Sequence, residues 1–190
     1  MQLGRRHFCS LVPLALAGAC STSPDPVLYT IPMKPGAVLQ AGPRIVQLRD
    51  IHLANYLDRK EIVRSSESFK LGVMANDWWG ENLASLLSRI IVLGLSQRLP
   101  NTNIYAEGGA ISADPNAVLA VNIQRLDVDQ AGTLQLLAQA AVEFNRPKRS
   151  AARTFHITKA LPTPNVAGQV AATSDAMAEL TDGLAALLQP

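Results

Sequence analysis

Cysteine is almost absent from this sequence. The chain of 190 residues has two, Cys9 and Cys20, and none after position 20. Whatever domain the remainder forms has no disulfide, no thiolate for zinc and no cysteine nucleophile, so packing alone must hold it together. Aromatic residues make up only 5% of the chain, which leaves aliphatic side chains to build the core. Long apolar runs are missing too. Phe8 to Ala17 is apolar apart from Ser10 and Pro13, but a spanning helix needs ~20 such residues. An excess of one charge is also lacking. The formal charge of +2 rests on Arg5 and Arg6; beyond them, basic and acidic residues balance at 15 each. The basic pI is therefore no sign of a nucleic-acid partner, and none is expected. Arg146-Pro147-Lys148-Arg149 is the one basic cluster, and it reads as a solvated hairpin end.

Catalytic patterns are scarce as well. There is no Gly-x-Ser-x-Gly elbow, no His-Glu-x-x-His, no phosphate-cradling glycine loop and no calcium-loop spacing. Past position 20 the histidines are His52 and His156. Each alternates with core residues along a strand pattern, which puts each on an outer face rather than in a metal site. Asp127 and Asp129 are two apart and could share a face as paired carboxylates; the plainer reading is a solvated hairpin end. No enzyme, metal or cofactor is expected.

What is present begins at the N-terminus. Met1 to His7 is short and positive, Phe8 to Ala17 is apolar, and Gly18-Ala19 supplies small residues before Cys20. This order matches a bacterial lipoprotein signal peptide, with Cys20 as the lipid-bearing first residue of the mature chain. Arg5-Arg6-His7-Phe8 also fits a twin-arginine export signal, and the sequence does not separate the two routes. Ser21, in place of the aspartate that retains lipoproteins at the inner membrane, favours the outer membrane. The expected division is 1–19 signal peptide, 20–26 lipidated cysteine and polar tether, and 27–190 domain.

The domain alternates two hydrophobic periods. Val27–Ile31, Arg44–Leu53, Glu61–Arg64, Ser68–Met74, Thr102–Ala106 and Ala151–Lys159 read as strands. Asn116–Asp129 and Thr133–Phe144 form the clearest hairpin, turning at Gln130-Ala131-Gly132. Leu119, Val121 and Ile123 have one parity and Leu126 and Val128 the other, so a bulge is expected near Arg125. Asp77–Leu99 shows helical spacing through Trp79, Leu83, Leu86, Leu87, Ile90 and Ile91, with Asn76 or Asp77 as cap and Pro100 as stop. Asn165–Leu188 is a second helix, with Val170, Met177, Leu184 and Leu188 facing the core. The fold class expected is α+β: one domain, a mixed but mainly antiparallel sheet and two long helices on one face. Trp79 fits the core stripe of the first helix, which leaves Trp78 at its boundary, free to contact a partner.

Tyr56-Leu57-Asp58-Arg59 followed by Ile62-Val63, then Trp79-Gly80-Glu81-Asn82-Leu83 opening a helix, resembles the PqiC family of auxiliary lipoproteins of ABC-type and MCE-type transport systems. Leu28-Tyr29-Thr30 after the tether also fits, and the likeness runs through the alanine-rich final helix. Asn82 stands where the family pattern has proline. The resemblance implies a lipoprotein in the outer membrane facing the periplasm. It would dock an MCE-domain protein that carries lipid or another hydrophobic molecule between membranes. Tyr56, Asp58, Arg59 and Trp78 are the docking candidates, and the covalent lipid on Cys20 is the anchor. A homo-oligomer stays open. Two other readings stand beside it: a lipoprotein that itself binds lipid, and an envelope-maintenance factor that activates a cell-wall synthase or helps lipopolysaccharide assembly.

Overall fold

The long hairpin organises the molecule. The computed structural model describes residues 24–189 apart from 68 and 112; Cys20, the signal peptide and most of the expected tether lie outside them. In chain order the strands are β1 (Val27–Tyr29), β2 (Ile45–Leu48), β3 (His52–Leu53), β4 (Glu61–Ser65), β5 (Gly72–Trp79), β6 (Asn103–Ala106), β7 (Ala117–Val128), β8 (Thr133–Asn145) and β9 (Lys148–Ala160). The helices are α1 (Leu83–Arg98), between β5 and β6, and α2 (Val166–Leu187), after β9.

Strands β7, β8 and β9 pair antiparallel, and the register of β7 against β8 shifts between Ile123 and Arg125. The expected bulge is there, and it explains the parity slip. Leu119, Val121 and Ile123 stay on the same buried face as Leu126 and Val128, opposite the buried Leu134, Leu136, Ala138, Ala140 and Val142 of β8. β2 and β6 extend this sheet in parallel, giving the order β6-β2-β7-β8-β9, with β3 also pairing β7. The single strand expected over Arg44–Leu53 is thus two short ones. Instead of one sheet there are two: β1-β5-β4 forms a separate three-stranded sheet.

Helix α2 packs on β8 and β9, and α1 packs against α2 and β6. Asn165 caps α2, its side chain accepting from the Gly168 amide at 2.8 Å. Ala172, Ala176, Met177, Leu180 and Leu184 are all fully buried, so the small residues let the helix sit close to the sheet. No helix among the described residues is long and apolar enough to cross a membrane.

The first helix starts later than its spacing suggests. Residues 77–79 belong to β5, and α1 begins at Leu83. The cap is Asn82, whose Oδ1 accepts from the Ala84 and Ser85 amides at 3.0 and 3.3 Å. Asparagine is among the best N-cap residues, which accounts for its presence in place of proline. Trp79 is a buried strand residue, its amide donating to the Lys60 carbonyl at 2.7 Å. Its helical spacing to Leu83 is coincidental.

Candidate functional site

Two of the four docking candidates reach the surface at one end of the small sheet. Trp78 stands opposite Leu28 of β1 and Glu61 of β4 and is partly exposed. Its indole nitrogen donates to the Ala75 carbonyl at 2.9 Å, and the Lys60 ammonium lies 3.7 Å from the ring centroid. That cation–π contact holds the indole in place without burying it. Asp58 is exposed and accepts from Asn82 Nδ2 at 3.4 Å. The turn thereby orients the residue that caps α1. Asp58 and Asn82 line an open hollow of about 360 Å³ with His52 and Asn55.

Arg59 is partly buried, and its Nε has no hydrogen-bond partner among the described residues. It does not pair with Asp58 in a local turn-stabilising bridge: no ion pair between them appears among the described residues.

Tyr56 points inward. Its hydroxyl donates to Asp127 Oδ2 at 3.0 Å, where Ser66 Oγ also donates, at 2.5 Å. Arg125 Nε donates to Asp127 Oδ1 at 2.7 Å, and the same guanidinium donates to Glu67 at 3.0 Å. The Gln130 amide closes the cluster by donating to Glu67 at 2.9 Å. Asp127 is 0% exposed, which corrects the expectation of a solvated hairpin end. The bulge turns Asp127 to the outer face of the large sheet, and the turn at Tyr56 and the loop after β4 cover it there. Asp129 keeps to the hairpin end. The Thr133 amide and the Gln135 side chain donate to its carboxylate, and these bonds hold its pKa below the ordinary value, the backbone one most strongly. The two aspartates therefore serve separate bonds and make no acid–base pair.

Burial first, then the negative charge of Asp127, pushes the Tyr56 hydroxyl up to about 12 from its ordinary 10.0. Because the folded value is the higher one, the stabilisation is complete below pH 10 and is lost as pH rises through 12. The urea midpoint is expected to fall between pH 10 and 12, more steeply in the wild type than in Tyr56→Phe. Parallel midpoints for the two would show that the phenol ionises freely.

Sequence reasoning missed a second buried charge. Arg98 is 1% exposed at the last turn of α1, where its Nε donates to Asp182 of α2 at 2.5 Å. Its remaining nitrogens donate to the carbonyls of Lys34, Gly94 and Ala178 at 3.1–3.3 Å. The signal was available. Leu87, Ile91, Leu95 and Arg98 run along one buried stripe, and an arginine on such a stripe needs acceptors.

Among the described residues no group of three or more His, Cys, Asp or Glu gathers around one point. The described residues form an α+β domain whose polar networks brace loops against the sheet. The chain belongs to the family of ABC-type transport auxiliary lipoprotein components, whose model matches residues 29–185. No curated protein sequence matches it. Among solved structures, the crystal structure of an uncharacterized protein superposes with a TM-score of 0.71 at 15% identity, covering 86% of this chain and 98% of the other. A Xanthomonas campestris protein of the DUF330 family gives 0.68 at 17% identity, covering 84% and 92%. At such identities the likeness is one of fold.

Proposed function

We propose that this chain is a non-enzymatic, lipid-anchored subunit of an ABC-type transport system, fixed at the outer membrane through Cys20. From there it docks an MCE-domain protein that carries lipid or another hydrophobic molecule. The observation that carries this reading is the family match over nearly the whole described domain. The surface end with Trp78, Lys60 and Asp58 supports it. An aromatic ring that is pre-ordered but partly exposed loses little side-chain freedom on binding, and tryptophan is enriched at binding hot spots.

The test is co-purification of the acylated chain with the MCE-domain protein. Trp78→Ala is expected to weaken that complex at least tenfold, about 1.4 kcal/mol, and to lower the urea midpoint of the free chain only modestly, through the lost Lys60 and Ala75 contacts. Full binding by Trp78→Ala and Asp58→Ala would move the docking surface elsewhere. No co-purification at all would remove the MCE partner. Sedimentation of the purified chain reads whether copies associate.

A further inference from the structure

Apolar side chains exposed to solvent concentrate on the small sheet. Among the described residues seven large hydrophobics are exposed; Phe69 and Leu71 lie on the loop joining β4 and β5, and Val27 and Leu28 lie at the other end of the small sheet, opposite Asp77 and Trp78. Phe69 is the extreme case, fully exposed and at φ 60°. That left-handed conformation suits glycine or asparagine and is unfavourable for a bulky residue. Nothing in the packing of the domain explains a phenylalanine there.

The loop is nonetheless firmly based. Ser66 donates to Asp127, Glu67 pairs with Arg125, and the Lys70 amide donates back to the Glu67 carbonyl at 3.3 Å. The buried cluster thus holds the base of the loop while Phe69, Lys70 and Leu71 project beyond it. An apolar ring flanked by a lysine is the composition of a residue seated at a lipid interface, with the ring among the acyl chains and the ammonium among the headgroups.

Topology says where that interface lies. β1 runs parallel to β5, with Val27 opposite Asp77. The chain that precedes Val27 therefore approaches from the Phe69 end of β5. Cys20 is seven residues before Val27, and Lys70 is seven residues before Asp77. Seven residues span at most ~25 Å when extended, and the seven steps from Lys70 into β5 as far as Asp77 cover at most ~23 Å. The tether is long enough to place Cys20 level with the loop tip, with little to spare.

We propose that the Phe69–Leu71 tip enters the lipid interface that holds the acylated Cys20, so that anchor and tip together fix which way the domain faces. This rests on the reading of Cys20 as the lipidated residue. The acyl chains supply attachment; the tip supplies orientation. It leaves the Trp78 end, at the far end of β5, turned away from the membrane toward a partner.

The experiment uses the full-length protein, exported and acylated in cells, then reconstituted into phosphatidylethanolamine–phosphatidylglycerol vesicles. Phe69→Cys and, as a control, Leu93→Cys on the exposed face of α1 each receive an environment-sensitive fluorophore. The label at 69 is expected to shift to the blue. Nitroxide-bearing lipids should quench it several-fold more than the label at 93. Equal shifts and quenching at the two positions, in acylated and vesicle-bound protein, would overturn the membrane contact alone. A shift at 69 that requires a purified MCE-domain protein and occurs without vesicles would assign the tip to that partner instead. Wild-type protein that takes up the thiol label, or has no diacylglyceryl mass on Cys20, would remove the anchor reading and this proposal with it.

Discussion

Arg98→Ala is expected to cost about 2–5 kcal/mol of folding stability, read as a fall in the urea midpoint. The side chain is 1% exposed and joins three segments: α1 through Gly94, α2 through Asp182 and Ala178, and the loop after β1 through Lys34. Its removal takes a donor from three carbonyls and leaves a large cavity. Asp182→Ala should cost less, about 1 kcal/mol, because the Asp182 side chain is 53% exposed and water screens that pair. Arg98→Lys falls between them, since one ammonium cannot serve a carboxylate and three carbonyls in the arginine fork geometry. The order is the test. If Asp182→Ala is as damaging as Arg98→Ala, the ion pair and not the carbonyl set holds the segments together. Gly36 belongs to the same construction: a Cβ there would lie 2.3 Å from Asp182 Oδ1 and 2.4 Å from an Arg98 nitrogen. Gly36→Ala should therefore cost about 1–3 kcal/mol by prying the pair apart.

Much of the fold was legible because the long elements carry local and consistent signals. Helix α2 has a capping asparagine and a core stripe at helical spacing. The β7–β8 hairpin alternates over more than ten residues on each strand, and even its bulge showed as the change of parity at Arg125. The errors arose where pairing is non-local. Trp78 and Trp79 are held in β5 by β1 and β4, three- and five-residue strands that are weak alone; a period count over one window cannot see them. The split into two sheets has the same origin. Of the site, the partly exposed Trp78 and the exposed Asp58 could be read as surface residues. The inward turn of Tyr56 could not, because its partner Asp127 lies 71 positions away. Asp127 itself has the parity of an outer-face residue. It is buried because a loop from the other sheet covers it, and nothing near it in the chain records that.

Asp127→Ala is expected to cost about 3–5 kcal/mol, comparable with the loss of Arg98, but with a different signature. Three donors converge on this carboxylate: the Tyr56 and Ser66 hydroxyls and the Arg125 guanidinium. Arg125 keeps Glu67 after the substitution, so the unpaired burden falls mainly on the two hydroxyls. Burial works against the charged guanidinium, and its bonds to Asp127 and Glu67 outweigh that, so its pKa is raised. The Asp127 part of this support, the larger of the two hydrogen bonds, disappears with the substitution. Asp127→Asn should recover only part of the loss, because its amide group presents donors where Tyr56, Ser66 and Arg125 also donate. Asp127→Leu combined with Arg125→Met and Tyr56→Phe should recover more, since removing every partner leaves fewer buried groups unsatisfied. Hydrogen exchange separates this effect from general unfolding. The loop after β4 and the turn at Tyr56 should lose protection first, while β8 and α2 stay protected, because Asp127 ties those two segments to the large sheet. Uniform loss of protection across the domain would mean that Asp127 supports the central sheet itself. If the loop alone loosens, Phe69 loses its fixed base, and the label at position 69 should then respond less to vesicles even though Cys20 and its acyl chains are untouched.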